Sequence, residues 1–468
     1  MKRLTIITDI AINAIDKCRY LFFVILTLCS ISSIHAEDSS TSALKKYVFA
    51  TDPSYSWKII DSIQAEGVKC YRVKLVSQTW HGKSWIHELD VVIPEKLKYT
   101  QSLFHITGGS NNEVTGEPNW RGWDDKTLKA LEHISKNCHA VTAMLSQVPN
   151  QPLFGGKKED EIISYTYHQF LADHDNTWPL LLPMVKSAEK AMDAVQQIIS
   201  LKTKNHEVKQ FVLNGFSKRG WTTWLCAATG DKRIASIAPA VIDMLNMPVS
   251  IPYQKFMYGS YSEQIKDYVN LGLTEAMSNS SSRDLINIVD PYSYRNKLTL
   301  PKLILLGTND EYWTVDAVKN YIDSIPGRNF ICYTPNAGHS LGNKIDAVLA
   351  LEAFFYQTIK GNNYPKFDYK IQQNDGKMDV MINTDAKNLK EVELWQATSY
   401  NKDFRQSKFT LLKINVASKK NFIVDINYPK SGYKAFMVMI KLRHPVEKKT
   451  YQLCTRMYFA DSKKLYDK

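Results

Sequence analysis

Three residues stand in an order that suits acyl transfer. Ser217 lies in Val212-Leu213-Asn214-Gly215-Phe216-Ser217-Lys218-Arg219-Gly220, between an apolar run and the helix-forming stretch Trp221 to Ala228. A strand that turns sharply into a helix exposes a serine hydroxyl there as a nucleophile. Asp310 follows Leu305-Leu306-Gly307-Thr308-Asn309, and His339 ends Pro335-Asn336-Ala337-Gly338-His339. A serine hydroxyl attacks only when a base takes its proton, and the base needs an acid to fix its tautomer and stabilise its charged form. Ser217, His339 and Asp310 are the candidates for nucleophile, base and acid. The tetrahedral oxyanion needs two donors. These are expected from the backbone N–H of Lys218 and from Gly109, in Thr107-Gly108-Gly109-Ser110.

Each residue also has a structural reading. Ser217 would serve as a helix N-cap, Asp310 as a turn residue with Glu311 or Asp316 as the acid, and His339 as a loop histidine. Asp243 and His105 are further site candidates, with a structural role the simpler reading. Trp221 and Trp224 share a helix face and read as core. Arg219 is a departure: two places after the nucleophile a small residue is usual, so this side chain must point outward or the turn must differ.

The elements around these residues alternate between strand and helix. Lys69 to Val76 and Trp85 to Pro94 show period-two alternation and predict an antiparallel pair joined at His81-Gly82-Lys83. Strands are then expected at Ser102 to Thr107, Ala140 to Leu145, Val208 to Leu213, Ile234 to Pro239 and Pro301 to Leu306. Helices are expected at Asp124 to Asn137, Trp178 to Leu201 and Ala347 to Ile359. This rhythm predicts a mostly parallel sheet covered on both faces, with Ser217, Asp310 and His339 all at its C-terminal edge. The fold class is α/β, an α/β-hydrolase fold spanning residues 37–365, with a helical cap insertion at about 240–299. Gln147 to Gly156 reads as a loop that forms another wall. Beyond the linker Gly361 to Pro365, short alternating strands and turns such as Asn374-Asp375-Gly376 predict a β-sandwich over 366–468.

Charge and cysteine content narrow the function further. The 468-residue chain carries a formal charge of +12. Residues 366–468 hold 21 basic and 11 acidic side chains, whereas residues 37–365 are net neutral. The basic character therefore belongs to the C-terminal segment, which suggests contact with an anionic surface or simple solubilisation. Nothing resembles a nucleic-acid-binding module. Residues 1–36 read as a signal peptide, with basic residues before the apolar run Leu21 to Ile31 and cleavage expected after Ala36. An uncleaved anchor is the alternative, but the run falls short of the ~20 residues a membrane span needs. No other segment is apolar for long enough to cross, so a secreted or periplasmic location follows. Cys70, Cys138, Cys226, Cys332 and Cys454 remain after cleavage, an odd number that allows one or two disulfides. No Cys or His spacing resembles a zinc site. No cofactor or metal is expected.

Four motifs together resemble the PhoPQ-activated pathogenicity-related proteins: Ser217 to Trp224, Pro239 to Asn246, Gly307 to Tyr312 and Pro335 to His339. Trp395-Gln396-Ala397-Thr398 and Asp403-Phe404-Arg405 are similar too, and the likeness runs from about Tyr47 to Phe459. The resemblance implies a secreted α/β-hydrolase-like protein with an appended β-domain, related to an autocrine proliferation repressor group. Arg219 matches that family's pattern. Two functions follow from these observations. One is a secreted serine hydrolase that cleaves an ester or amide in a small molecule or peptide. The other is a non-enzymatic secreted virulence or signalling factor that uses the scaffold to bind a receptor or anionic surface.

Overall fold

The structure, a computed structural model, describes residues 38–467 except 279–281, 375 and 386. The signal peptide expected over 1–36 lies outside the described residues, as does Asp375 of the expected turn. Helix α1 (Asp38–Val48) is the first described element, and it buries Leu44 and Val48 in the main core. Strands β1 (Ser56–Ala65), β2 (Val68–Trp80) and β3 (Lys83–Pro94) form an antiparallel meander. Then follow β4 (Gln101–Ile106), α2 (Lys126–Cys138), β5 (Val141–Leu145), α3 (Asp160–Asp173), α4 (Leu181–Lys202), β6 (Gln210–Phe216), α5 (Lys218–Thr229) and β7 (Ile234–Ala240).

Among the described residues, four α-helices stand between β7 and the next strand, with 3-10 turns beside them. They are α6 (Met247–Tyr258), α7 (Lys266–Val269), α8 (Leu273–Met277) and α9 (Arg283–Val289), and they make up the expected helical insertion. Strands β8 (Lys302–Gly307) and β9 (Asn329–Thr334) and helix α10 (Ile345–Ile359) complete this part. The strand order β1-β2-β3-β5-β4-β6-β7-β8-β9 is parallel from β5 onward, which is α/β-hydrolase topology. All residues of β5 and β8 are buried, as parallel strands covered on both faces require.

The remaining strands are β10 (Phe367–Asn374), β11 (Lys377–Thr384), β12 (Leu389–Ser399), β13 (Thr410–Lys413), β14 (Asn421–Asn427), β15 (Tyr433–Arg443), β16 (Thr450–Cys454) and β17 (Tyr458–Asp461). Strands β10, β11 and β14 form a separate antiparallel sheet. The others extend the large sheet in the order β9-β16-β15-β12-β13, with β17 also on β15. The link is short: Cys454 of β16 pairs with Ile331 of β9. Met378 and Val380 of β11 share a core with Val438 and Ile440 of β15. One layer of the sandwich is thus continuous with the hydrolase sheet and covers the β9 edge, which would otherwise offer unpaired backbone groups.

Cys70, Cys138, Cys226, Cys332 and Cys454 are buried free thiols, so neither disulfide allowed by the count is formed among the described residues. Burial pushes the Cys70 thiol up to about 12, where it is un-ionised and unreactive at neutral pH.

Candidate active site

Ser217 sits between β6 and α5 with φ 57° and ψ −126°, a conformation a non-glycine residue adopts only where its surroundings impose it. Its N–H donates to the Ala240 carbonyl of β7 at 2.8 Å, which fixes the turn against the neighbouring strand. The side chain makes no capping bond to the helix it precedes, so the N-cap role is not the one it fills. Gly215 makes the turn possible, because a Cβ there would stand 2.5 Å from the Arg219 carbonyl oxygen.

Arg219 resolves the apparent misfit at the elbow. Its side chain is not turned out to solvent but lies across the loop after β4, with only 11% of it exposed. A Cβ on Gly108 would stand 2.6 Å from the guanidinium. Nε donates to the Val148 carbonyl at 2.5 Å, and Nη2 donates to Glu159 at 2.7 Å. Lys218 Nζ meets Glu159 at 2.8 Å and Asp160 at 3.1 Å. Burial alone would raise the Glu159 carboxyl, but Arg219 and Lys218 outweigh it and hold the group well below the usual carboxylate range. The first turn of α5 is thereby tied to the loop at 108 and to the start of α3.

The expected oxyanion loop is anchored on its carbonyl side. Gly108 O accepts from Arg121 Nη2 at 2.9 Å, and Gly109 O accepts from Gln151 Nε2 at 2.9 Å. Arg121 also reaches Asp125, the N-cap of α2, at 2.7 Å. Among the described residues the Gly109 N–H makes no hydrogen bond within the chain. The Lys218 N–H is in the first turn of α5, where backbone donors lack helical partners.

Asp310 and His339 come together. His339 Nδ1 lies 2.9 and 3.0 Å from the two Asp310 oxygens, an arrangement that puts the proton on Nδ1 and leaves Nε2 a lone pair. Nε2 is buried and makes no hydrogen bond. The Ser217 hydroxyl is therefore not bonded to it in this structure, and in unliganded enzymes such bonds often tighten only with substrate. The alternative acids do other work. Glu311 accepts the backbone N–H of His339 at 2.8 Å, and Asp316 binds Tyr253 OH at 2.8 Å and Lys319 at 3.0 Å. The Tyr312 ring lies over the imidazole with centroids 4.1 Å apart.

Two side chains singled out from the sequence have defined partners nearby. Burial, with Asp310 and Asp316 close by, pushes Asp243 up to about 8 against the lowering effect of its Tyr321 bond, so its carboxyl is neutral below that pH. His105 Nδ1 lies 2.6 Å from Asn214 Oδ1, and burial lowers the ring to about 4, which keeps it uncharged.

Ser217 borders two cavities. One, of about 50 Å³, lies under the α6–α8 insertion and is lined by Trp221, Ile242, Met277, Tyr312 and Trp313 among others. Trp221, read as core from its helical spacing, thus also faces the site. The other is a wider cleft of about 670 Å³ between α2 and α10, lined by His105, Gly108, Lys126, Arg219 and Lys344. Elsewhere, where α2, α10 and the β15–β16 loop meet, His133, Glu352 and Glu447 bring ligand atoms within 4.8 Å of one another. His133 Nε2 lies 2.5 Å from Glu447, and Asn137 bonds both carboxylates, so the chain itself joins this cluster.

The family model for PhoPQ-activated pathogenicity-related protein matches residues 44–405. The chain belongs to that family. It is also 33% identical over 365 residues to autocrine proliferation repressor protein A of Dictyostelium discoideum, covering 74% of this chain and 70% of the relative. Solved structures of similar shape include acetyl xylan esterase 1 from Thermoanaerobacterium sp., at 16% identity and a TM-score of 0.48, covering 69% of this chain and 93% of the other. An S-formylglutathione hydrolase from Agrobacterium tumefaciens shows 12% identity and a TM-score of 0.40, covering 65% and 98%. For this family member, Ser217 to Trp224 is the segment where elbow, clamp and cavity wall coincide.

Glu159 and Arg121 had no signal in the sequence and act through contacts far along the chain. Gln151 stood in the expected wall loop, Tyr312 at the end of the Gly307 to Tyr312 motif, and Glu311 as an alternative acid.

Proposed function

We propose that this family member is an exported serine hydrolase that cleaves an ester or amide through an acyl-enzyme. The observation that carries this reading is the imidazole of His339, oriented through Nδ1 by Asp310, with Nε2 unpaired, beside a sheet edge where Ser217 holds the elbow conformation. Ser217 Oγ attacks the carbonyl carbon while Nε2 takes its proton, and Asp310 stabilises the imidazolium. The N–H groups of Lys218 and Gly109 receive the developing oxyanion. Collapse expels the leaving group with the proton from Nε2. Water, deprotonated by the same nitrogen, then attacks the acyl-enzyme and frees Ser217. No step needs a cofactor.

Turnover of an activated ester such as a p-nitrophenyl ester tests the reading. Ser217→Ala is expected to lower kcat by about 10³-fold or more. Equal turnover by the variant contradicts it.

The Dictyostelium relative, an autocrine proliferation repressor by name, favours a second reading, an autocrine factor acting by contact. In that case the basic 366–468 segment supplies the surface, and Ser217→Ala leaves the biological effect intact.

A further inference from the structure

The smaller cavity beside Ser217 lies under the α6–α8 insertion, and most of the polar side chains in its lining are engaged elsewhere. Ser250 Oγ donates to the Leu245 carbonyl at 2.7 Å, and Gln254 uses its amide on Tyr312 O and its carbonyl on Ser262 N–H, both at 3.1 Å. Tyr268 OH donates to Asp160 at 3.1 Å, and Trp221 Nε1 donates to Val289 O at 2.6 Å. Lys218 is paired with Glu159 and Asp160, and Asp243 accepts from Tyr321 at 2.7 Å. The cavity therefore offers little to a charged or strongly polar group and favours aliphatic contact.

Its size sets a limit as well. A volume of about 50 Å³ open to the centre of a water-sized sphere, at ~10–15 Å³ per occupant, holds roughly four non-hydrogen atoms. A longer chain meets Met277, Ile265 and Ala317 at the walls. The wider cleft on the other side of Ser217, with Lys126, Arg219 and Lys344 in its lining, remains for a bulkier leaving group.

We propose that the smaller cavity is the acyl site and selects uncharged aliphatic acyl groups of about four to six carbons, the carbonyl carbon standing at Ser217 and the rest of the chain filling the cavity. The assignment rests on the serine-hydrolase reading. It separates this chain's substrates by class from acetyl esters and from long-chain lipids.

The test is kcat/KM of the full chain across p-nitrophenyl esters from acetate to decanoate, with fluorophosphonate labelling of Ser217 measured on the same preparation. The expected profile peaks between butyrate and hexanoate and falls about tenfold toward either end. Ala317→Leu, which adds three carbons to the wall, is expected to move the optimum to acetate, and Met277→Ala to move it to longer chains. A maximum at acetate, or a steady rise through decanoate, in a chain that labels at Ser217 overturns the acyl site and leaves the hydrolase intact. A chain that does not label at Ser217 loses the hydrolase reading, and the acyl site with it.

Discussion

Asp310 reaches His339 through both carboxylate oxygens, and this geometry separates it from its neighbours Glu311 and Asp316. Asp310→Asn keeps the shape but not the charge, and kcat on an activated ester is expected to fall by about 10⁴-fold. Glu311→Gln, which still offers an oxygen to the His339 N–H, is expected to lower kcat less than tenfold, a loss of about 1 kcal/mol at most. Two buried imidazoles make stability depend on pH. Burial lowers both His87 and His105 from 6.5 to about 4. Unfolded, each takes a proton near 6.5, so the stability they contribute is fully present above that pH and is lost as pH falls toward 4. For His87 the loss is on the order of 3 kcal/mol. Urea midpoints at pH 7 and pH 5 check this, with His87→Gln expected to show a smaller drop than the parent chain. The turn at Ser217 and the pairing of Asp310 with His339 were legible by type and order alone. Glu159 was not, because glutamates are common and only the folded backbone brings this one to the site.

At the scale of elements, Arg219 connects the elbow helix to the loops at 108, 148 and 159. Arg219→Ala is expected to lower kcat by about 10- to 100-fold through displacement of the Gly108-Gly109 loop. Arg219→Lys does not restore it, because an ammonium on a flexible stem does not reproduce the planar fork that meets Val148 and Glu159. Comparing kcat with the unfolding midpoint of each variant separates positioning from stability. The parallel strands were legible because each is a short apolar run ended by glycine or polar residues. Helix α3 was not, since it buries Ile162, Ile163, Ser164, Thr166 and Tyr167 with no clean polar face, and the 3.6-residue period fades when a helix is covered nearly all round. Strand β1 escaped notice for the opposite reason: it is an edge strand with no fully buried residue.

Over the whole molecule, the C-terminal segment braces the loops that carry Asp310 and His339. Asn309, beside Asp310, donates to the carbonyls of Phe404 at 3.0 Å and Ser407 at 2.7 Å. Asn336, three residues before His339, exchanges two bonds with the backbone of Phe409. Arg405 lies over the Tyr258 ring of α6 at 4.0 Å, so the same segment reaches the insertion above the cavity. Asn336→Ala is expected to lower stability by about 1–3 kcal/mol, read from urea unfolding, and to lower kcat with it. The strands of this segment were legible from their alternation, but their continuity with the large sheet was not. A single pair, Cys454 with Ile331, makes that join, and no local pattern encodes which edge a strand will find.

The central claim is that Ser217 is an activated nucleophile, and covalent capture tests it most directly. The folded chain is treated with a fluorophosphonate and the modified peptide mapped by mass spectrometry. The phosphonyl group is expected on Ser217, with labelling abolished in Ser217→Ala and strongly slowed in His339→Ala. A folded chain that is left unmodified at Ser217, or labelled equally well without His339, contradicts the claim.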